Sequence, residues 1–369
     1  MLVNHLRVRN WRNLEDAKVE LAGRVTALFG RNGHGKSNLL EAIHYAIAFR
    51  SFRTSSTAEL VRWGCSQAEI EVQIQLGGLS RRLLVRVEAG KRNTTLDGKT
   101  VRRDADALGS AAAIMFGPED LRLPKAPAAE RRRALDRAIF AVQRSYLREA
   151  MAFERTLKTR NALLRRGQFS SDLLASYDET LAVTGARIVL GRREIVAALA
   201  PRFTQAFAEI HGGAVASLDY RSDARVAAAD TEADIAQALR TGLAASRSLD
   251  ERRGFTGFGP HTDDLAILLG ERLAREHGSQ GQMRALMLAF KFAELEHVEA
   301  RNREPPLLLL DDVASELDEV RRERLFAMIS GKTYQTVITV TERRLLPELP
   351  GRVDWHVREG HVEAAGEEC

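Results

Sequence analysis

The sequence predicts an α/β protein whose sheet-forming parts are separated by a helical arm. Three observations carry this. A short apolar run, Val25 to Phe29, leads through a glycine-rich loop into a helix with Leu39, Ile43 and Ile47 on one face. From Ala128 to Ile210 apolar residues recur every three or four positions, the period of long amphipathic helices. After Gly254 short apolar strands return, among them Leu307 to Leu310 with two aspartates behind it.

Taken in chain order, the first thirty residues read as strands. Leu2, His5 and Val8 lie in a mixed β-like run, and Val19 and Leu21 follow. Ala68 to Leu76 alternates, with Ile70, Val72, Ile74 and Leu76 on one side, and Leu83, Val85 and Val87 alternate likewise. Asp97-Gly98 signals a hairpin turn. Leu135, Ile139, Val142, Tyr146, Ala150, Phe153, Leu157 and Leu164 predict one long helix, broken at Gly167 to Ser171. Tyr177, Leu181, Thr184, Ile188, Ile195, Leu199, Phe203 and Ile210 trace a second. Two helices of about 30 residues, each about 45 Å long, predict an antiparallel arm, a coiled-coil-like hairpin of a few heptads. Leu265 to Leu269 then reads as a strand, Gln282 to His297 and Glu319 to Ile329 as helices, and Thr336 to Val340 as a buried strand. The expected domains are a discontinuous head, 1–120 and 255–369, and an arm, 121–254.

Composition excludes several classes. A chain of 369 residues with 44% hydrophobic and 28% charged content has room for a sizeable core and is not that of a disordered protein. The longest uncharged stretch, Ala107 to Pro118, is too short to span a membrane, and Met1 to Val8 lacks the apolar core of a signal peptide. Two cysteines, Cys65 and Cys369, support neither a disulfide framework nor a cysteine-based zinc site. A cytoplasmic protein is therefore expected. The net charge is +5, but Arg122 to Arg166 holds 13 basic residues against 4 acidic ones. Such a concentration is a candidate surface for a phosphate backbone, or else a solvated helix face in an arginine-rich protein.

The chemistry sits in three motifs. Gly30, Arg31, Asn32, Gly33, His34, Gly35, Lys36 and Ser37 match G-x-x-x-x-G-K-[ST] in full, between a strand and a helix. Glycines let the backbone turn its N–H groups toward phosphate oxygens, and the helix adds its positive end. Lys36 is expected on the β- and γ-phosphates of ATP, with the Ser37 hydroxyl on Mg²⁺. Leu307 to Leu310, followed by Asp311 and Asp312, supplies carboxylates at the end of a buried strand. Asp311 is expected to hold Mg²⁺, directly or through water, and Asp312 to orient or deprotonate the attacking water. Ser279, Gly281 and Gln282 lie in a Ser-x-Gly-Gln turn that opens a helix, which is an anion site or an ordinary helix cap.

These motifs in this order, split by a helical insert, resemble the ATP-binding cassette heads of the SMC-type DNA-repair ATPases. Ser315 to Asp318 resembles their D-loop, which puts Asp318 among the nucleotide contacts, as Asn38 is beside the phosphate loop. Four further segments narrow the resemblance to the RecF family: Leu6 to Asn13, Arg50 to Thr54, Phe116 to Leu121 with the arginines at 131–133, and Gly259 to Leu265. The resemblance implies a discontinuous ATPase head of this type, working as an ATP-dependent homodimer. Ser279, Gly281 and Gln282 of one copy would meet the γ-phosphate held at Lys36 of the other. It further implies slow ATP hydrolysis, binding to double-stranded and gapped DNA, and action with RecR and RecO in loading RecA. A nucleoid-associated location follows from the same resemblance.

Departures from the family pattern are few. Thr262 stands where arginine is usual, and Asp312 is shorter than the glutamate of transporter cassettes. No histidine follows Thr339, which leaves Thr339 or Thr341 as a weaker γ-phosphate sensor, and no glutamine marks a Q-loop near Met115 to Leu121. The histidines show no metal-ligand spacing, and Trp11, Trp63 and Trp355 read as core or rim residues. A nuclease-linked ATPase would need a further acidic domain, for which the 28 residues after Thr341 leave no room. A transporter subunit would carry a switch histidine, and a guanine-nucleotide switch an N-K-x-D motif; neither is present.

Overall fold

The computed structural model describes residues 1–21, 23–54, 56–102, 107–108, 111–167, 170–213, 215–302 and 305–365; Cys369 lies outside them. The chain forms two compact units. The first comprises Met1–Leu121, Glu209–His211 and Glu294–Cys369, and the second Arg122–Ala208 and Gly212–Ala293. The segment 255–293 therefore packs with the arm helices. Among the described residues no helix is long and apolar enough to cross a membrane.

In the first unit one helix is clasped by two six-stranded sheets. The antiparallel sheet is ordered β2-β1-β4-β5-β6-β7, from β1 (Leu2–Trp11), β2 (Leu14–Glu20), β4 (Gln67–Leu76), β5 (Leu79–Glu88), β6 (Lys91–Leu96) and β7 (Lys99–Thr100). Its inward face is the alternating set Ile70, Val72, Ile74, Leu83, Val85 and Val87, all buried. The irregular pattern of β1 has a cause: its pairing with β4 shifts register between Val3 and His5, so Val3, Leu6 and Val8 share the core without strict alternation. Asp97 and Gly98, both at positive φ, turn β6 into β7.

The second sheet is ordered β15-β14-β3-β13-β12-β8, from β3 (Val25–Phe29), β8 (Ala113–Phe116), β12 (Leu307–Asp311), β13 (Thr336–Val340), β14 (Arg352–Arg358) and β15 (His361–Ala364). All its pairs are parallel except β14 with β15. Burial on both faces explains why β12 opens with four leucines and why β13, Thr-Val-Ile-Thr-Val, shows no alternation of buried and exposed residues. Helix α1 (Lys36–Ala48) contacts strands of both sheets and buries Leu39, Leu40, Ile43, Tyr45 and Ile47.

The second unit corrects the arm in two respects. The stripe from Leu135 to Leu164 is two helices, α2 (Ala128–Val142) and α3 (Tyr146–Arg166), separated by the non-helical Gln143. The apolar period runs through this break in phase, so periodicity does not register it. The Tyr146 hydroxyl donates to Asp136 Oδ1 at 2.6 Å and ties the new helix to the old one. The long partner is α4 (Ser171–His211), followed by β9 (Ala216–Arg221), α5 (Ala224–Ala227) and α6 (Glu232–Arg253). The helical pair is not free-standing. Helix α6 joins as a third member through Arg160, fully buried on α3, which donates to Asp178 of α4 at 2.7 Å and to Asp250 of α6 at 2.9 Å. Gly185 on α4 permits the approach, since a Cβ there would lie 3.1 Å from Leu239 and 3.4 Å from Phe153.

A three-stranded sheet, β11-β10-β9, completes the unit with β10 (Asp264–Leu269) and β11 (Arg272–Leu273); α7 (Ala274–His277) and the start of α8 (Gln280–Arg301) follow. The last described helix, α9 (Glu319–Ser330), belongs to the first unit.

The turn Gly259 to Asp264 is a buried polar hub. Pro260 O accepts from Arg192 at 2.7 Å, Asp264 takes a bidentate pair from Arg131 at 2.8 and 2.7 Å, and the Tyr220 hydroxyl donates to Asp263. Thr262 is exposed and only closes the turn onto Gly259 O, so the hub stands without a charge at that position. Burial raises the Asp263 carboxyl to about 6 against the lowering pull of Tyr220, Arg192 and Arg132. A carboxyl that resists ionisation more in the fold than in the unfolded chain favours folding at low pH. That contribution is lost as pH rises through about 6. The rise from the ordinary aspartate range to about 6 corresponds to about 3 kcal/mol. We therefore expect Asp263→Asn, which keeps an acceptor for Tyr220, to gain thermal stability relative to the natural protein between about pH 4.5 and pH 7. Melting temperatures that differ by the same amount at both pH values would exclude this.

Candidate functional site

The register of the parallel sheet assembles the site. Thr339 pairs with Asp311 on one side and with Leu28 on the other, so the carboxylate end of β12 lies one strand from the exit of β3. Gly30, Gly33 and Gly35 take positive φ as the chain leaves β3, and Gly35 caps α1 in the left-handed region. A Cβ on Gly30 would lie 2.2 Å from Val357 O of β14, so the neighbouring strand itself demands glycine. The first amides of α1 have no acceptor within the helix, which makes this end suited to an anion.

Lys36 is buried, and its ammonium donates to Gly30 O at 2.7 Å and Arg31 O at 3.1 Å. Burial lowers its pKa, while the carboxylates of Asp312 and Asp311 act to keep it charged. The Ser37 hydroxyl donates to Asp311 Oδ1 at 2.7 Å, and Thr339 Oγ1 reaches the same oxygen at 2.8 Å. Thr339 is fully buried, and its hydroxyl also accepts from the Asp312 amide at 2.9 Å. Asp312 itself sits at φ 50 with its Oδ1 buried and without a hydrogen-bond partner. Burial raises its pKa, opposed by Ser315 and by the Lys36 charge.

A divalent cation fits this arrangement. Ser37 and Asp311 bring two hard oxygens together, and Mg²⁺ commonly takes only one or two protein ligands, leaving the rest to phosphates and water. No cluster of three or more His, Cys, Asp or Glu able to hold a metal occurs among the described residues.

The Ser-x-Gly-Gln turn belongs to the second unit and the phosphate loop to the first. Ser279 Oγ accepts from the Gln282 amide at 3.2 Å, and Gln282 Oε1 accepts from the Ser279 amide at 2.9 Å. This reciprocal capping box fixes both side chains at the start of α8 while leaving the Ser279 O–H and the Gln282 amide group as donors. Gly281, half-buried, lies between them in the same first turn. Asp318 caps α9 by accepting from the Arg321 amide at 2.9 Å.

Sequence reasoning missed the brace behind the loop. Asn13 donates to Gly33 O at 3.3 Å and accepts from Asn38 at 2.7 Å, and Asn38 in turn accepts from Arg53 at 2.7 Å. Arg12 grips the fully buried Glu41 with two 2.8 Å bonds, and Ser51 donates to the same carboxylate. On the far side the Gly360 amide donates to His34 O at 2.9 Å. The segments 6–13 and 50–54 thus meet around α1; their recurrence was visible, their meeting was not. Trp11 is core, its ring tilted by 56° against that of Tyr45, whereas Trp63 is 98% exposed and so is neither core nor rim.

Fold and site together define a P-loop nucleotide-binding head of the type shared by ATP-binding cassette and SMC proteins. The comparisons agree. The family model described as RecF/RecN/SMC N terminal domain matches residues 2–352. The chain is 43% identical over 364 residues to the DNA replication and repair protein RecF of Anaeromyxobacter dehalogenans (strain 2CP-1 / ATCC BAA-258), covering 97% of each chain. It is 42% identical over 347 residues to the corresponding protein of Myxococcus xanthus (strain DK1622), covering 92% of this chain and 91% of that one. A structure of the recombination mediator protein RecF-ATPrS in the RecFOR pathway superposes with a TM-score of 0.90 at 30% identity, covering 99% and 98% of the two chains. An SmcHead bound to the C-winged helix domain of ScpA shares the fold, with a TM-score of 0.57 at 16% identity over 100% and 98%. The chain belongs to the RecF family.

Proposed function

We propose that this protein is an ATP-gated DNA-binding clamp of recombinational repair and replication restart. The observation that carries the reading is the convergence of Ser37 and Thr339 on one oxygen of Asp311, beside an unpartnered buried oxygen of Asp312. In this reading the loop 30–37, with Asn38, receives the triphosphate and Lys36 neutralises its terminal charge. Bound Mg²⁺, held by Ser37 and Asp311, would supply further charge neutralisation. Asp312 has the burial and the free acceptor needed to orient or deprotonate water. Thr339 acts through the two aspartates it holds. A carboxylate shorter than glutamate fits a slow, DNA-stimulated ATPase used as a switch.

Ser279, Gly281 and Gln282 offer donors but no pocket, which suits completion of a site on a second copy, with Asp318 near the joint. Loss of the γ-phosphate then opens the dimer. The naming of related structures as recombination mediators in the RecFOR pathway supports RecR and RecO as partners; RecA loading at gapped DNA is the outcome proposed with them. In this reading the motif-bearing head is 1–120 with 255–369 and the arm 121–254, with 255–293 the part of the head that packs with the arm helices.

Sizing the purified protein with double-stranded DNA in the absence of nucleotide, with ATP and with ADP tests this. We expect a DNA-bound dimer with ATP alone. A monomer whose DNA binding ignores nucleotide would overturn the clamp.

A further inference from the structure

The 13 basic residues between Arg122 and Arg166 are not equivalent in the fold. Arg131 and Arg160 are buried in ion pairs with Asp264, and with Asp178 and Asp250. They hold the unit together and are out of reach of any partner. Helix α3 is different. Its packed face is Tyr146, Phe153, Arg160 and Leu164. At 100° per residue, Arg148, Arg155, Lys158, Arg165 and Arg166 fall on the opposite side, and all five are exposed. Among the described residues none of the five has a carboxylate within ion-pair distance.

Several exposed arginines elsewhere in the same unit are paired, Arg187 with Glu149 and Glu232, Arg240 with Glu179, and Arg225 with Asp223; among the described residues Arg122, Arg252, Arg253 and Arg272 are, like the five, exposed without such a pair. A like-charged row without counter-charges costs helix stability, because Arg155 and Lys158 are neighbours at i and i+3. Exposed Glu154, one turn before Lys158, is the carboxylate of this helix that borders the row, and it makes no ion pair with it. Arg165 and Arg166 alone have a local explanation, since cations suit the last turn of a helix. Arg148, Arg155 and Lys158 have none within the chain.

We infer that the outer face of α3 is a docking surface for the phosphate backbone of double-stranded DNA. From residue 148 to 166 the row extends about 27 Å along a straight helix. That is the length of about eight base pairs, so the five charges can follow one backbone segment without bending the protein. The face offers no aromatic side chain for stacking on unpaired bases, and Leu147 and Met151 are its exposed apolar residues. Contact is therefore electrostatic and independent of sequence. This inference rests on the DNA-binding reading above and names the surface that performs it.

The test is fluorescence anisotropy with a labelled duplex and ATP, titrated at several salt concentrations. The proteins are the natural chain, the triple variant Arg148→Gln, Arg155→Gln, Lys158→Gln, and the control Arg187→Gln, Arg240→Gln on paired positions. We expect the triple variant to bind at least tenfold more weakly. Its plot of log affinity against log salt should be shallower by about 2 to 3, at about 0.9 per lost phosphate contact. The control should match the natural chain, and all three should keep their affinity for a fluorescent ATP analogue and their melting temperatures. If the natural chain binds duplex and the triple variant binds it equally with the same slope, the surface is overturned while the clamp stands. If the natural chain binds no duplex in any nucleotide state, the clamp reading falls and takes this surface with it. Should the triple variant melt early, the single variant Lys158→Glu decides: unchanged affinity there overturns the surface.

Discussion

With Lys36 replaced by arginine, ATP still binds while its turnover falls by about a hundredfold or more. The lysine ammonium is lodged between two loop carbonyls, 2.7 Å from Gly30 O and 3.1 Å from Arg31 O, in a buried position. A compact point charge fits there; a planar guanidinium on a longer stem does not. The positive charge survives the substitution, so attraction for the triphosphate survives as well. What is lost is the alignment of that charge with the oxygens on which charge builds during transfer, and such interactions act on rate rather than on binding. The same variant should therefore keep its ATP-dependent grip on duplex DNA and release it slowly. Binding of a fluorescent ATP analogue and phosphate release, measured on one preparation, separate the two effects. Unchanged turnover would remove Lys36 from the proposed chemistry.

Local chemistry was legible in the sequence, and long-range meetings were not. The loop 30–37 is legible from its G-x-x-x-x-G-K-[ST] spacing, and Asp311 only in company with that loop, because a leucine run ending in two aspartates is weak evidence alone. Asn13 carries no such mark, because its role depends on Gly33 and Asn38 arriving beside it. The Gly360 amide bonds to His34 across more than three hundred residues, a pairing set by strand order that no window of sequence contains. The break at Gln143 escaped because the apolar stripe continues in phase across it. Charge counting over 122–166 could not see that Arg131 and Arg160 are spent inside the unit.

Ser279→Asp should abolish ATP-dependent dimerisation while leaving the fold intact. Ser279 has two separable capacities. As the cap of α8 it accepts from the Gln282 amide, and aspartate does this as well as serine. As a partner for phosphate it must donate through its hydroxyl, and an ionised aspartate has nothing to donate and repels the anion. The variant thus keeps the helix, and gains slightly from a negative charge at its positive end. It presents that same charge to the γ-phosphate of the facing copy. Ser279→Ala is the less decisive change, since losing the cap alone costs about 1 kcal/mol and confuses folding with assembly. The comparison to make is melting temperature against the dimer fraction with ATP, each for Ser279→Asp and the natural chain. Equal melting with no dimer places the serine turn on the partner's phosphate. Equal melting with an undiminished dimer would mean that the turn is a helix cap and nothing more, and that the γ-phosphate is sensed elsewhere.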